Sequence, residues 1–154
     1  MRNVRVAAIQ MQCAKDVATN IQTAERLVRQ AAEKGARIIL LPELFERPYF
    51  CQERQYDYYQ YAQSVTENTA IQYFKELAKE LQVVLPISFY EKDGNVLYNS
   101  IAVIDADGEV LGVYRKTHIP DDHYYQEKFY FTPGNTGFKV WDTLYAKIGI
   151  GICW

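Results

Sequence analysis

The sequence predicts an α/β fold built on a mixed sheet, and three observations carry that prediction. A strand–helix–strand pattern opens the chain, a second amphipathic helix follows, and then Asp-Gly pairs punctuate a series of apolar runs. Val4 to Met11 is apolar with no charge after Arg5, which reads as a central strand. From Asn20 the period changes: Ile21, Ala24, Leu27, Val28, Ala31 and Ala32 share one helical face, with Gln22, Arg26, Arg29 and Glu33 opposite. Gly35 after Lys34 supplies the helix stop. Arg37 to Pro42 is a second short strand ended by a proline that cannot donate to a ladder, so the two strands should be parallel neighbours.

Glu43 to Gln63 reads as an aromatic loop whose charged residues, Glu46, Arg47, Glu53, Arg54 and Asp57, form a solvated surface. A helix is predicted from about Thr69 to Leu81, with Thr66 or Asn68 as cap and Ile71, Phe74, Leu77, Ala78 and Leu81 facing inward. Val83 to Tyr90, Val96 to Ile104 and Val110 to Lys116 are then strands of a meander turned at Asp93-Gly94 and Asp107-Gly108. A polar, aromatic loop covers Thr117 to Gly137. Phe138 to Trp141 and Ala146 to Cys153 are the last strands, the final one read as buried because Ile148, Ile150 and Ile152 alternate with glycines.

With 154 residues, 49% hydrophobic and 23% charged, the chain has the composition of one globular domain. A formal net charge of −2 gives no reason to expect nucleic acid or an anionic membrane surface as partner. No apolar run approaches a membrane span, and the N-terminus lacks the apolar core of a signal peptide. Cys13, Cys51 and Cys153 form no CxxC pair, and His118 and His123 are the only histidines, so no metal site is expected. The expectation is a reduced, cytoplasmic protein. Thirteen tyrosines, many between Tyr49 and Tyr130, suggest an aromatic pocket, an interface or half-buried surface.

Three reactive side chains share one context, the end of a predicted strand: Glu43 after Leu40-Leu41-Pro42, Lys116 after Tyr114-Arg115, and Cys153 after Ile152. In an α/β sheet such ends form a ligand-binding rim. A carboxylate can take the proton of a thiol, and an ammonium can stabilise both thiolate and oxyanion. Singly, each has an ordinary reading: a helix-start acid, a basic strand exit facing water, a small apolar residue ending a core strand. Cys13 and Cys51 show no acid–lysine context, and the two histidines read as structural or exposed.

Leu40-Leu-Pro-Glu43-Leu-Phe, Tyr114-Arg-Lys116-Thr-His-Ile-Pro120 and Gly149-Ile-Gly-Ile-Cys153-Trp154 resemble, in order, the three signature blocks of the nitrilase (carbon–nitrogen hydrolase) superfamily. Phe45-Glu-Arg-Pro-Tyr-Phe-Cys-Gln52 and Tyr125-Gln-Glu127-Lys-Phe-Tyr-Phe-Thr-Pro-Gly134 resemble its branch acting on N-carbamoylputrescine, related to the β-ureidopropionases. The resemblance implies an αββα sandwich and a catalytic triad of Glu43, Lys116 and Cys153, with Glu127 positioning substrate and lysine. It further implies an oxyanion contact from the Trp154 backbone and no cofactor. Tyr49, Asp121, Asp122, Tyr124 and Glu127 are the local candidates for receiving a cationic amine. The implied partner is a small carbamoyl-amine substrate, with a homo-oligomer as the assembly. Members of this superfamily continue well beyond the nucleophile, so residues 1–154 are expected to be the N-terminal portion of one hydrolase domain and to be inactive alone. A sister substrate, or a non-catalytic half that a partner completes, are the competing expectations.

Overall fold

The computed structural model describes residues 3–153. Strand β1 (Val6–Ala8) and strand β2 (Ile38–Leu40) pair in parallel, Val6 against Ile38 and Ala8 against Leu40, as the strand–helix–strand pattern predicts. Helix α1 (Val17–Glu33) connects them. It begins one turn earlier than its apolar period suggests because Asp16 caps it, accepting the Thr19 N–H at 2.8 Å. Gly35, at φ +87°, turns the chain out of the helix. Helix α2 (Thr69–Leu81) matches its predicted bounds, with Asn68 accepting the Ile71 N–H at 2.8 Å.

The meander comprises β3 (Leu85–Asp93), β4 (Val96–Ile104) and β5 (Val110–Arg115), paired antiparallel in that order. A bridge between Ile38 and Val84, with Ile39 N–H donating to the Val84 carbonyl at 3.0 Å, joins β2 to the start of β3. The result is one mixed sheet in the order β1-β2-β3-β4-β5. Because side chains alternate across a strand, the sheet has two distinct faces. Leu85, Ile87, Phe89, Ala102 and Ile104 pack on α1 and α2 through Ala24, Val28, Ile71, Phe74 and Leu77. Each fully buried side chain of this size contributes about 1.5–3 kcal/mol. Ile101, Val103 and Tyr114 point the other way and meet Trp141 and Ile152. Further along that second face lie three buried polar side chains, Ser88, Asn99 and Lys116.

Two expectations need correction. The first strand is shorter than expected: it spans three residues, and Val6 is 66% exposed. Among the described residues only β2 flanks it. The last stretch is shorter and less buried than expected. It forms β9 (Lys147–Gly149) in a hairpin with β8 (Val140–Asp142), and of its three isoleucines only Ile152 is buried. Among the described residues β9 has one neighbour, β8. The loop from Thr117 to Gly137 also contains more order than expected, a small hairpin of β6 (Asp121–Asp122) and β7 (Tyr125–Gln126) followed by a 3-10 turn over Glu127–Phe129.

Glu46, expected in solvent, instead accepts both Asn68 Nδ2 contacts at 3.0 and 3.2 Å at the start of α2. Burial pushes its carboxyl up to about 7, against the opposing pull of Asn68 and Arg47. The folded state therefore holds this proton more tightly than the unfolded state. Its contribution falls as pH rises from the ordinary glutamate range through about 7. Glu46→Gln should flatten that loss and raise stability by about 1 kcal/mol above neutral pH. Denaturant midpoints of parent and variant between about pH 5 and 8 would test it, and parallel curves would refute it. Asn68→Ala, which removes the cap, should cost about 1–2 kcal/mol by the same measurement.

Candidate active site

Three elements converge on the polar end of the second sheet face. Pro42 ends the β2 ladder, and the chain turns through Glu43 into Leu44, which is left-handed at φ +52°. The Leu44 N–H donates to Ser88 Oγ on β3 at 2.9 Å, and this holds the strained turn in place. Lys116 follows the last residue of β5. Its N–H donates to the Asn99 carbonyl at 2.8 Å, and its own carbonyl accepts the Gly134 N–H at 2.8 Å. Glu127 opens the 3-10 turn, where its carbonyl accepts the Tyr130 and Phe131 N–H groups, both at 2.9 Å.

These backbone anchors bring three charges together. The Lys116 ammonium, with its side chain at 0% exposure, donates to Glu43 Oε1 at 2.9 Å and to Glu127 at 2.7 and 3.0 Å. Tyr49 donates its hydroxyl to Glu127 Oε1 at 2.6 Å. Burial alone would drive the Lys116 pKa down, but its hydrogen bonds and charge pairing with Glu127 and Glu43 outweigh that and raise it. Lys116 is therefore a cation, suited to stabilising negative charge rather than removing protons. Burial, then the hydrogen bond to Glu127, likewise keeps the Tyr49 hydroxyl protonated.

The reading of Lys116 as a strand exit facing water is overturned. Arg115 and Lys116 are adjacent, so their side chains leave opposite faces of the sheet. Arg115 pairs with Glu91 at 2.6 and 2.8 Å and with Asp93 at 2.7 Å, and lies 4.1 Å over the Tyr98 ring. Neither base is left to solvent. Cys51 also differs from expectation, because it lies within the electrostatic reach of this cluster. Burial first, then the negative charge of Glu127 and Glu43, hold its thiol in the protonated form. It is a packing residue.

Cys153 is exposed and sits at φ +58°, a conformation that non-glycine residues adopt only when their surroundings impose it. Ile152 beside it packs with Tyr114 and Ile101, on the face that also carries Asn99 and Lys116. The described hydrogen bonds do not link Cys153 to Glu43 or Lys116. Asp122 lies outside the cluster: it is exposed and its carboxylate accepts the His123 N–H at 2.6 Å, while Asp121 faces Arg54 at 3.5 Å. Trp154 lies outside the described residues.

Two polar side chains of the site escaped sequence reasoning, Ser88 and Asn99. Asn99 donates to Glu43 Oε1 at 2.6 Å. The signal for it was present, since a buried strand of the composition Val-Leu-Tyr-Asn-Ser-Ile-Ala-Val-Ile contains one amide. Among the described residues no group of three His, Cys, Asp or Glu side chains is arranged to hold a metal ion.

The arrangement has close counterparts. Residues 5–154 match the family model described as carbon-nitrogen hydrolase. The chain is 58% identical over 153 residues to an N-carbamoylputrescine amidase of Solanum tuberosum, covering 99% of this chain and 51% of that protein. It is 51% identical over 154 residues to a citrullinase of Francisella tularensis subsp. tularensis, covering 100% of this chain and 54% of that protein. The crystal structure of a carbon-nitrogen hydrolase from Helicobacter pylori G27 superposes with a TM-score of 0.90 at 34% identity, covering 98% of this chain and 51% of that one. The chain thus spans about half the length of the curated relatives it matches. Its sheet and helices are those of a nitrilase-type fold, and the chain belongs to the carbon–nitrogen hydrolase family.

Proposed function

We propose that residues 1–154 are the N-terminal portion of a single thiol amidohydrolase domain. In this reading the enzyme hydrolyses the carbamoyl C–N bond of N-carbamoylputrescine, a step of polyamine formation, in the cytoplasm and as a homo-oligomer. The observation that carries it is the ammonium of Lys116 buried between Glu43 and Glu127, an arrangement too costly to desolvate for packing alone. The relatives at 55–58% identity over 98–99% of this chain supply the substrate. Val6, Leu40, Phe138 and Val140, apolar and exposed on residues 3–153, suit a domain with further packing partners.

The chemistry follows from the charges. Glu43 takes the proton of the Cys153 thiol, and the thiolate attacks the ureido carbon. Lys116 and the Trp154 N–H stabilise the oxyanion, with Glu127 and Tyr49 holding the ammonium in place. The tetrahedral adduct collapses, its terminal C–N bond breaks, and Glu43 returns its proton to the leaving ammonia. Water, deprotonated by Glu43, then cleaves the thiocarbamate ester and frees Cys153. The released carbamate decomposes to carbon dioxide and putrescine. This scheme calls on no cofactor.

Two surface hollows, neither lined by Glu43, Lys116, Glu127 or Cys153, are candidates for the distal end of the substrate. One of about 320 Å³ is lined by Arg54, Asp121, Asp122, His123 and Gln126, and its paired acids suit a cationic amine. The other, about 380 Å³, includes Tyr49, Lys15, Arg47 and Glu53. Its excess of positive charge favours a second reading, a substrate that carries a carboxylate beside its carbamoyl-amine chain, as citrulline does. Ammonia release from N-carbamoylputrescine, citrulline and N-carbamoyl-β-alanine, measured on the longest natural product of this reading frame, separates these. We expect turnover of the first alone, abolished in Cys153→Ala; turnover of citrulline instead would overturn the assignment. Lys116→Met should lose both activity and about 3–5 kcal/mol of stability, since it leaves Glu127 charged, buried and unpaired. Tyr49→Phe, which removes one hydrogen bond to that carboxylate, should cost about 1.5–3 kcal/mol, read from thermal unfolding.

A further inference from the structure

Glu43 presents its two carboxylate oxygens to different surroundings. Oε1 accepts two hydrogen bonds, from Lys116 Nζ at 2.9 Å and from Asn99 Nδ2 at 2.6 Å. Oε2 accepts none among the described residues, and the side chain is 33% exposed, so this oxygen is the one open to a reactant. The two donors are related by the sheet. Ser100 pairs with Arg115 across β4 and β5, and the next step of that ladder sets Asn99 beside Lys116, on the same face. Cross-strand neighbours thus meet on one oxygen.

Asn99 is at 0% exposure, yet its Oδ1 has no hydrogen-bond partner among the described residues. Buried amides normally satisfy both ends, and an orphaned acceptor counts against stability. A leucine has the same branched outline, though a larger volume, and would leave no polar atom unpaired. What the amide supplies and a leucine cannot is an N–H directed at Glu43.

We propose that Asn99 is a positioning residue. It fixes Glu43 with Oε1 fully engaged, so that Oε2 is the atom that takes the proton from Cys153 and later from water. This rests on the reading of Glu43 as base and Cys153 as nucleophile. Asn99 acts through Glu43 and touches no reacting atom. Lys116 alone leaves the carboxylate free to rotate about its terminal torsion, which is a soft one; the second donor removes that freedom.

The test uses the longest natural product of the reading frame and the rate of alkylation of Cys153 by iodoacetamide at neutral pH, followed by peptide mass spectrometry. Asn99→Leu should slow alkylation about tenfold and lower kcat by at least that much, with KM within about twofold, on the usual worth of a hydrogen bond to a charged group. In a Glu43→Gln background, where the route through the carboxylate is closed, Asn99→Leu should add nothing. Full alkylation by the single variant, or equal slowing in both backgrounds, would overturn the proposal. Glu43→Gln itself leaving alkylation unchanged would instead sink the base assignment beneath it. Should Asn99→Leu fail to fold, Asn99→Ala lacks the donor and is expected to slow alkylation in the same way; parent-like alkylation there would refute the role.

Discussion

Removing the Lys116 ammonium from water is the most expensive single act in this structure, and much of the chain is arranged to make it tolerable. An amine stripped of its hydration loses several kcal/mol even after relaxation, and only close opposite charge restores the balance. Two carboxylates do so here, Glu127 almost wholly buried and Glu43 partly open. That requirement reaches into distant segments. It demands the antiparallel register that aims Lys116 inward, the left-handed turn that swings Glu43 over the sheet, and the 3-10 turn that presents Glu127. Of the two carboxylates, Glu43 lies on the open side of the cluster.

The aromatic segment has a structural purpose within the same scheme. Phe50 lies at the centre of a cluster, 5.0 Å from Tyr130, 5.4 Å from Tyr90 and 5.9 Å from Tyr58. Tyr130 donates its hydroxyl to the Glu53 carbonyl at 2.5 Å and accepts the Gln55 N–H at 2.9 Å, and the Tyr59 hydroxyl donates to the Phe129 carbonyl. These contacts clamp the 50–61 segment to residues 127–131. Tyr49 stands at one border of the clamp and Glu127 at the other, so ring packing sets the short hydrogen bond between them. Loops remote from the sheet are thereby given the rigidity that a preorganised charge cluster needs.

Alternation along the meander divides labour between the two faces of one sheet. The face with Ile87, Phe89 and Ala102 is apolar where the helices close it and carries the Glu91, Ser100 and Arg115 group at its far end. The opposite face begins apolar at Val103 and Ile101 and turns polar at Asn99, Ser88 and Lys116. A single residue of slippage would exchange Arg115 for Lys116 and carry the Glu91 pair into the site. The buried Arg115–Glu91 pair on one face and the Lys116 pairs on the other therefore hold the same register from both sides.

Local chemistry was legible in the sequence wherever it is written over a few neighbouring residues. Helical periods with their caps, the parallel pairing forced by a strand–helix–strand unit, and Lys116 directly after a strand all belong to that class. The family blocks added the expectation of a triad. What the sequence left open depended on partners far along the chain. Glu46 looks solvated until Asn68 closes on it, and Asn99 looks like one polar residue in a strand until the hairpin sets it beside Lys116. The alternating Ile-Gly stretch promises a buried strand, but burial is a property of neighbours, and β9 has a single one among the described residues. Residue type and spacing determined which groups could do chemistry; only the tertiary structure decided which oxygen of Glu43 is held and which is free, because that choice is made by donors 56 and 73 residues away.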